Sequence, residues 1–151
     1  MTLERLIELV HANRNTRRLL QLGGREHAPG HYPLIVAVHT LWLASLWWFA
    51  PSRPVVGFWL ALFVLIELMR AWVLITLGRR WTTRIIVLPG ESLVRNGPYR
   101  FVNHPNYWVV IGEIAVLPLA FGLWLVALIF TLLNAAMLAV RIREENRALS
   151  R

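Results

Sequence analysis

The sequence predicts an all-α, polytopic integral membrane protein that folds as a single domain over residues 1–151. Hydrophobic residues make up 57% of the chain, and its mean hydropathy is +0.52. Soluble domains have an apolar share of about 45–50%. All 16 basic residues are arginines, and most lie in short segments that flank long apolar runs. This pattern predicts about four transmembrane helices, preceded by an N-terminal helix that is either amphipathic or part of a further transmembrane helix.

Residues 1–31 begin the chain with a predicted helix and a polar turn. Apolar side chains recur at the spacing of one helix face at Leu3, Leu6, Ile7 and Val10. The helix is expected over 1–22, and a glycine pair ends it. It either lies on the membrane surface or forms the tail end of a membrane-spanning helix.

The first two predicted spans lie within residues 32–77. The first is nearly all apolar, and its only strongly polar member is His39, which we expect to be a packed helix residue rather than a ligand. The second contains Glu67 and Arg70, which lie three residues apart on one helix face and are expected to pair. Because charges at membrane depth are costly, the pair either orients the helix or marks a functional site.

Residues 78–104 form a polar segment that is interrupted by glycine and proline. A segment of this length is rarely a mere connector, and its β-branched run at 83–88 predicts a short extended stretch. Pro105 suits the first turn of a new helix, so residues 105–140 are predicted to form a helical hairpin. Residues 141–151 are a charged continuation of the second helix of that hairpin.

The arginines predict the orientation in the membrane. The N-terminal segment, the 78–104 segment with its flank, and the C-terminal segment hold all of them except one in the 51–54 turn; the 118–122 turn holds none. The positive-inside rule places the three arginine-rich segments, and both termini, in the cytoplasm. The predicted hairpin also returns the C-terminal segment to the side of the 78–104 segment, so the two are expected to form a cytoplasmic pocket.

The residues also exclude or disfavour several classes of function. The chain has no cysteine, which excludes disulfides, thiolate catalysis and cysteine metal sites. No glycine fingerprint follows a predicted strand, so a doubly wound nucleotide-binding domain is excluded. One histidine with two glutamates on a helix does not make a zinc site, and the arginines do not form the single face that nucleic acid needs. The polar residues expected in the pocket are Tyr99, His104, Tyr107, Arg141, Glu144 and Glu145.

A resemblance to a known family extends this interpretation. The run GPYRFVNHPNY, the apolar hairpin after it and the C-terminal RIREENRAL resemble the isoprenylcysteine carboxyl methyltransferase family over about residues 78–150. The resemblance implies a membrane methyltransferase that uses S-adenosylmethionine. More narrowly, GRRWTTRIIVLPGE, HPNYWVV and RNTRRLLQLGGREH are similar to a small bacterial branch that is encoded beside type III polyketide synthases. Members of that branch methylate the hydroxyl of alkylpyrones or alkylresorcinols.

The resemblance also implies roles for residues, position by position. Cofactor contacts are expected at Glu91, Ser92, Leu93, Val94, Tyr99, His104, Pro105, Asn106, Tyr107 and Glu145. Arg141 is placed toward the substrate. The leading arginine of the helix-start motif is Asn103 here, which removes a charge. If a separate base exists, the candidate is Glu113, two turns below the helix start; its alternative role is an interhelical hydrogen bond.

The implied partners are the lipid bilayer, a bacterial plasma membrane, and a lipophilic small molecule. The implied reaction is O-methylation of an alkylpyrone or alkylresorcinol hydroxyl. A phenol-like hydroxyl has a pKa of about 10 in water, and a nearby arginine favours its oxyanion. Two alternatives stay open: carboxyl methylation of a prenylated cysteine, and a membrane scaffold that keeps the fold without the cofactor.

Overall fold

The computed structural model describes residues 1–149, and most of them lie in α-helices. Within this range the helices are α1 Thr2–Gln21, α2 Tyr32–Phe49, α3 Gly57–Leu77, α4 Pro105–Ala120 and α5 Trp124–Ala148. Two short strands, β1 Arg25–His27 and β2 Ile85–Val87, complete the regular structure together with single 3₁₀ turns. The predicted all-α class is confirmed for the bulk of the chain.

Among residues 1–149, three helices are long and apolar enough to cross a membrane: α2 with the turn before it, α3 with the turn after it, and α5. Helix α4 is equally apolar but has only 16 residues, below the usual length of a span. The membrane character of the chain is therefore supported, and a fourth span through α4 stays a prediction.

The membrane helices pack around a core that joins α2, α4 and α5. Trp42 and Leu46 of α2 meet Ile114 and Leu117 of α4 and Leu123 at the start of α5. Helices α3 and α4 approach each other closely at Gly112, where a Cβ atom would lie 2.9 Å from the Ile66 side chain. The absence of a side chain at Gly112 thus sets how near these two helices can come.

The bundle has two ends, which we name by their connections. Residues 22–31, 78–104 and 141–149 form the loop end, and residues 50–56 and 121–123 form the turn end. At the loop end β1 and β2 pair antiparallel, with Arg25 opposite Val87. The expected extended stretch at 83–88 is confirmed in β2, whereas β1 falls in the segment that was predicted to be only a polar turn.

Helix α1 runs antiparallel to α2, from near the turn end to the loop end. Trp47, near the last turn of α2, donates its indole N–H to Thr2 Oγ1 at 3.0 Å. At the other end of α1, Gly24 N–H donates to the Leu19 carbonyl beside β2. Residue 2 therefore lies at the end of the bundle opposite to the 78–104 segment, which differs from the expectation of both termini on one side.

Helix α1 exposes its apolar face and buries its polar one, the opposite of a helix that packs on the core of a soluble protein. Its predicted apolar face points outward, with Leu3, Ile7 and Val10 62–71% exposed. Its buried residues include Ala12, which is small, and Asn15, which is polar. A lipid environment favours this arrangement, because apolar side chains can face the hydrocarbon while polar ones face protein.

A buried ionic cluster formed by Arg5, Glu8, Arg70 and Glu113 attaches α1 to α3 and α4. Arg70 donates through Nε to Glu8 Oε1 at 2.6 Å and through Nη1 to Glu113 Oε1 at 3.0 Å. Arg5 donates to Glu8 at 3.1 Å and also contacts the Glu113 carboxylate. The expected pairing of Glu67 with Arg70 is wrong: among the described residues Arg70 pairs with carboxylates from two other helices, which reach its guanidinium from both sides.

Candidate functional site

A polar pocket opens at the loop end of the bundle. Its wall comes from β2, the 88–94 segment, the turn at 97–100, the start of α4 and the end of α5. Nine of the residues that the sequence placed at the cofactor line this pocket: Glu91, Ser92, Leu93, Val94, Tyr99, His104, Asn106, Tyr107 and Glu145. Arg141 lines it too. We call this cavity the loop pocket.

Two predicted site residues lie outside the wall of the loop pocket. Pro105 is buried at the first turn of α4, directly after the N-cap residue His104. Its fixed φ and missing N–H suit that position, so it shapes the helix start. Glu113 lies two turns further along α4 in the ionic cluster, where it accepts hydrogen bonds from Arg5 and Arg70. This geometry matches its alternative role as an interhelical hydrogen-bond partner.

The turn at 97–100 depends on its glycine. Gly97 has φ +55°, and a Cβ atom there would lie 2.5 Å from Thr76 Oγ1 of α3. Side-chain-bearing residues rarely adopt this φ, and the space is filled. Gly97 therefore lets the chain pass close to α3 and brings Tyr99 into the wall of the loop pocket.

Tyr107 lies at the centre of the polar side chains. Its hydroxyl donates to Glu145 Oε2, and it accepts from Arg141 Nε at 2.9 Å. The Arg141 guanidinium also lies over the Tyr107 ring, with its carbon 5.7 Å from the ring centroid. Because Arg141 and Glu145 are four residues apart on α5, one tyrosine of α4 joins both of them and fixes the end of α5 against α4.

His104 extends this group toward the end of α5. Its ring stacks on Tyr107 with centroids 5.2 Å apart and an interplanar angle of 16°. Its Nε2 lies 3.1 Å from Asn146 Oδ1, to which it donates, and its Nδ1 lies 3.6 Å from Glu145 Oε1. Asn146 was not predicted as a site residue. It directly follows Glu145, on a helix whose end was predicted to lie beside the pocket.

Arg80 holds the irregular 88–94 segment in place. It donates to the Ser92 carbonyl at 2.8 Å and pairs with Glu91 at 3.0 Å. Within residues 1–149 the backbone N–H groups of Leu93 and Val94 take no backbone partner. Because both residues line the loop pocket, these two N–H groups are candidate donors to a ligand there.

A second cavity lies between α1, α2, α4 and α5, and we call it the membrane cavity. Most of its surface is apolar, with Leu9, Ile35, Leu43, Val110 and Leu138 among its residues, and three members of the ionic cluster, Arg5, Glu8 and Arg70, also line it. The two cavities share wall residues at their junction, namely Trp81, Thr82, Asn106, Tyr107 and Arg141. One cavity therefore opens at the polar end of the bundle and the other lies at membrane depth, with Tyr107 and Arg141 between them.

The junction carries polar atoms with unused hydrogen-bonding capacity. Asn106 Oδ1 and Trp81 Nε1 are buried and have no hydrogen-bond partner within residues 1–149. The Nη groups of Arg141 donate to no residue of the same range, since its one hydrogen bond there is made through Nε. Buried polar atoms such as Asn106 Oδ1 and Trp81 Nε1 normally have partners, which makes these two atoms candidate contacts for a ligand.

Sequence reasoning missed Arg80, Trp81 and Asn15. Asn15 of α1 donates to the carbonyls of Gly78 and Trp81 at 3.1 and 2.9 Å and so holds the start of the polar segment. Its place on the polar face of a predicted amphipathic helix was the available signal. From the sequence, Trp81 resembles a tryptophan at the membrane interface. Nothing in its spacing predicts that it lies at the junction of two cavities.

Comparison with known proteins identifies the family. The family model for the isoprenylcysteine carboxyl methyltransferase (ICMT) family matches residues 59–151. The uncharacterized protein YpbQ of Bacillus subtilis is 36% identical over 162 aligned positions, which cover 99% of this chain and 92% of that protein. An uncharacterized protein of Haemophilus influenzae is 33% identical over 60% of this chain and 54% of its own length. No solved structure matches the chain. The chain belongs to the isoprenylcysteine carboxyl methyltransferase family, whose members are membrane methyltransferases with S-adenosylmethionine as the methyl donor.

Proposed function

We propose that this protein transfers a methyl group from S-adenosylmethionine in the loop pocket to a lipophilic acceptor in the membrane cavity. The observation that carries the proposal is the junction of the two cavities at Tyr107 and Arg141. A polar, charged donor and an apolar acceptor need different environments, and they must meet at one point for direct transfer. Two cavities that share part of their walls meet both requirements.

The loop pocket has groups that suit the donor molecule. The Glu145 carboxylate and the Asn106 amide oxygen are acceptors for an ammonium group or ribose hydroxyls. The N–H groups of Leu93 and Val94 are donors for the edge of an adenine ring. Tyr99 and Leu93 add apolar surface for the same ring. When bound, S-adenosylmethionine supplies a methyl group on a sulfonium, which reacts with a nucleophilic oxygen.

Arg141 is the residue that we assign to the acceptor. Its Nε holds the Tyr107 hydroxyl, and its Nη groups remain for an oxygen at the junction. A guanidinium beside a hydroxyl lowers the cost of forming the oxyanion, and a water-poor cavity strengthens this attraction. Alignment of the acceptor oxygen by Arg141 and the wall of the membrane cavity supplies much of the catalysis in a direct displacement.

For the acceptor we propose the hydroxyl of an alkylpyrone or alkylresorcinol. The resemblance to the branch that acts on these rings extends into residues 14–27, outside the matched family region. Family membership is equally compatible with carboxyl methylation of a prenylated cysteine, which is the second candidate. Both acceptors have a long apolar tail that suits a cavity at membrane depth.

Calorimetry and methyl transfer on the purified protein test the proposal together. We expect S-adenosylmethionine to bind, and His104→Ala to weaken binding at least tenfold, or roughly 1.4 kcal/mol, because it removes the contacts to Tyr107, Glu145 and Asn146. The exposed residue His11 provides the control His11→Ala, which should bind normally. Radiolabelled methyl transfer to an alkylpyrone, an alkylresorcinol and a farnesyl-cysteine analogue then identifies the acceptor.

The outcomes separate three possibilities. Label on the ring compounds supports the proposed acceptor, and label on the farnesyl compound alone shows the second candidate to be correct. A folded protein that binds no S-adenosylmethionine would instead be a membrane scaffold, and both enzymatic functions would be ruled out.

A further inference from the structure

The membrane cavity contains polar atoms that an apolar lipid tail cannot satisfy. Trp42 of α2 and Asn134 of α5 are 1% and 2% exposed, and both line this cavity. Trp42 Nε1 and Asn134 Nδ2 have no hydrogen-bond partner within residues 1–149. A buried donor without a partner is destabilising, so two of them in the lining of one cavity point to a ligand that carries oxygen.

His39 contributes an acceptor to the same wall. Its Nδ1–H donates to the Ile35 carbonyl at 2.9 Å, one turn earlier in α2. Because a carbonyl can only accept, this bond fixes the proton on Nδ1 and leaves Nε2 of the neutral ring as an acceptor. His39 and Trp42 are three residues apart, so they lie on one face of α2 and present an acceptor and a donor side by side.

The position of Asn134 relates this group to the junction. Asn134 and Arg141 are seven residues apart on α5, and both line the membrane cavity. Seven residues are two helical turns, or about 10 Å along the axis, so Asn134 lies deeper in the bundle than Arg141. Polar groups are therefore spread along the membrane cavity, from the junction inward. Arg5, Glu8 and Arg70 also line it, but they are paired with one another and with Glu113.

We propose that His39, Trp42 and Asn134 form a subsite that recognises a second oxygen on the ring of the acceptor, beyond the oxygen that receives the methyl group. The inference rests on the proposed function and specifies its substrate class: a lipid-tailed ring with at least two oxygens. A ring hydroxyl at this subsite donates to His39 Nε2 and accepts from the Asn134 amide or the Trp42 indole. An aliphatic chain, or a ring with one oxygen, leaves these donors unpaired.

A pair of matched ligands tests the subsite by equilibrium binding without the methyl donor. The ligands are a 5-alkylresorcinol and a 3-alkylphenol with the same alkyl chain, so they differ by one hydroxyl. We expect the wild-type protein to bind the resorcinol about fivefold to tenfold more tightly, the contribution of one neutral hydrogen bond. Asn134→Leu should reduce this preference roughly twofold and leave the affinity for the phenol unchanged, because Trp42 remains as a second donor; Asn134→Leu combined with Trp42→Phe should reduce the preference to about onefold. The exposed residue Asn13 provides the control Asn13→Leu, which should keep the preference.

Unchanged affinity for S-adenosylmethionine shows that the Asn134→Leu variant is folded. If that variant does not fold, Trp42→Phe is measured in its place. Equal binding of the two ligands to the wild-type protein, no binding of either, or a preference that survives both substitutions would overturn the subsite. The binding assay needs no turnover, so it is separate from the test of methyl transfer. A protein that prefers the resorcinol but transfers no methyl group contradicts the proposed function alone.

Discussion

At the scale of single residues, we assign two different contacts to the nitrogen atoms of the Arg141 guanidinium. Its Nε donates to the Tyr107 hydroxyl at 2.9 Å, while its Nη groups are the ones that we assign to the acceptor, since Arg141 lines both the loop pocket and the membrane cavity. The planar fork of arginine can hold both contacts at once, whereas the ammonium of lysine is a point charge on a flexible stem. The two residue types are therefore not equivalent here.

We predict that Arg141→Lys lowers the rate of methyl transfer roughly tenfold to hundredfold, because it loses either the hold on Tyr107 or the contact to the acceptor. The affinity for S-adenosylmethionine should change by less than about threefold, since Glu145 and His104 keep their places. Steady-state kinetics and calorimetry measure the two quantities. Arg143→Lys, at an exposed position two residues along α5, is the matched control. An Arg141→Lys variant with normal turnover would contradict the role of Arg141.

How far the candidate site could be predicted differs between its two cavities. The motif residues of the loop pocket lie close together in sequence or at the end of a predicted helix, so resemblance and spacing were enough to name them. The membrane cavity is different, because His39 and Asn134 come from helices that are far apart in the chain. Hydrophobic periodicity identifies each helix, but it does not say which faces of two helices meet.

At the scale of elements, α1 shows a limit of the same reasoning. The apolar spacing at Leu3, Ile7 and Val10 correctly predicts a helix, and the structure confirms its bounds to within a residue. Periodicity alone cannot say whether that face meets protein or lipid. The polar face of α1 determines its orientation, because Arg5 pairs with Glu113 on α4 and Glu8 pairs with Arg70 on α3. The apolar face therefore points away from these helices.

The ionic cluster leads to a prediction about the attachment of α1. Glu113→Gln removes a buried carboxylate that receives both arginines, and breaking such a pair costs about 3–5 kcal/mol in buried sites. We expect a clear loss of thermal stability in detergent, measured by the unfolding midpoint, with S-adenosylmethionine binding retained by the protein that stays folded. Glu144→Gln, which loses only the partly exposed pair with Arg147, is the control and should be near wild type.

The same variant separates the two roles considered for Glu113. Normal stability combined with lost methyl transfer would show that Glu113 is a base. Reduced stability with a proportionate loss of activity would show that it joins helices. The structure favours the second role, since the Glu113 carboxylate is 1% exposed and both of its oxygens contact arginines.

At the scale of the whole molecule, the path of α1 affects the orientation of the N-terminus. The charge pattern predicts both termini on the side of the 78–104 segment, whereas the structure brings Thr2 beside Trp47 near the turn end. The positive-inside rule counts arginines in loops, and it gives the wrong weight to Arg5 because this residue is paired inside the bundle. The arginines after residue 13 of α1 still lie toward the loop end.

The absence of cysteine makes this orientation easy to measure, because any introduced thiol is the only one. We predict that Thr2→Cys reacts with a membrane-impermeant maleimide from the same side as Ser52→Cys, in the turn end. Ser92→Cys, in the loop pocket segment, should react from the opposite side. Labelling of intact cells and of inverted vesicles provides the comparison. Reaction of Thr2→Cys from the side of Ser92→Cys would show that α1 does not follow the path seen here.

The shared wall of the two cavities has a thermodynamic consequence. Arg141 and Tyr107 belong to both cavities and are hydrogen-bonded to each other. A molecule that shifts either side chain from one cavity changes how well the other cavity accepts its own ligand, and linkage requires the same factor in both directions. Donor and acceptor would then bind cooperatively or antagonistically, never independently. A bilayer lipid that enters the membrane cavity in place of the acceptor would thus set the apparent affinity for the donor, so the composition of the membrane itself becomes an effector of this enzyme.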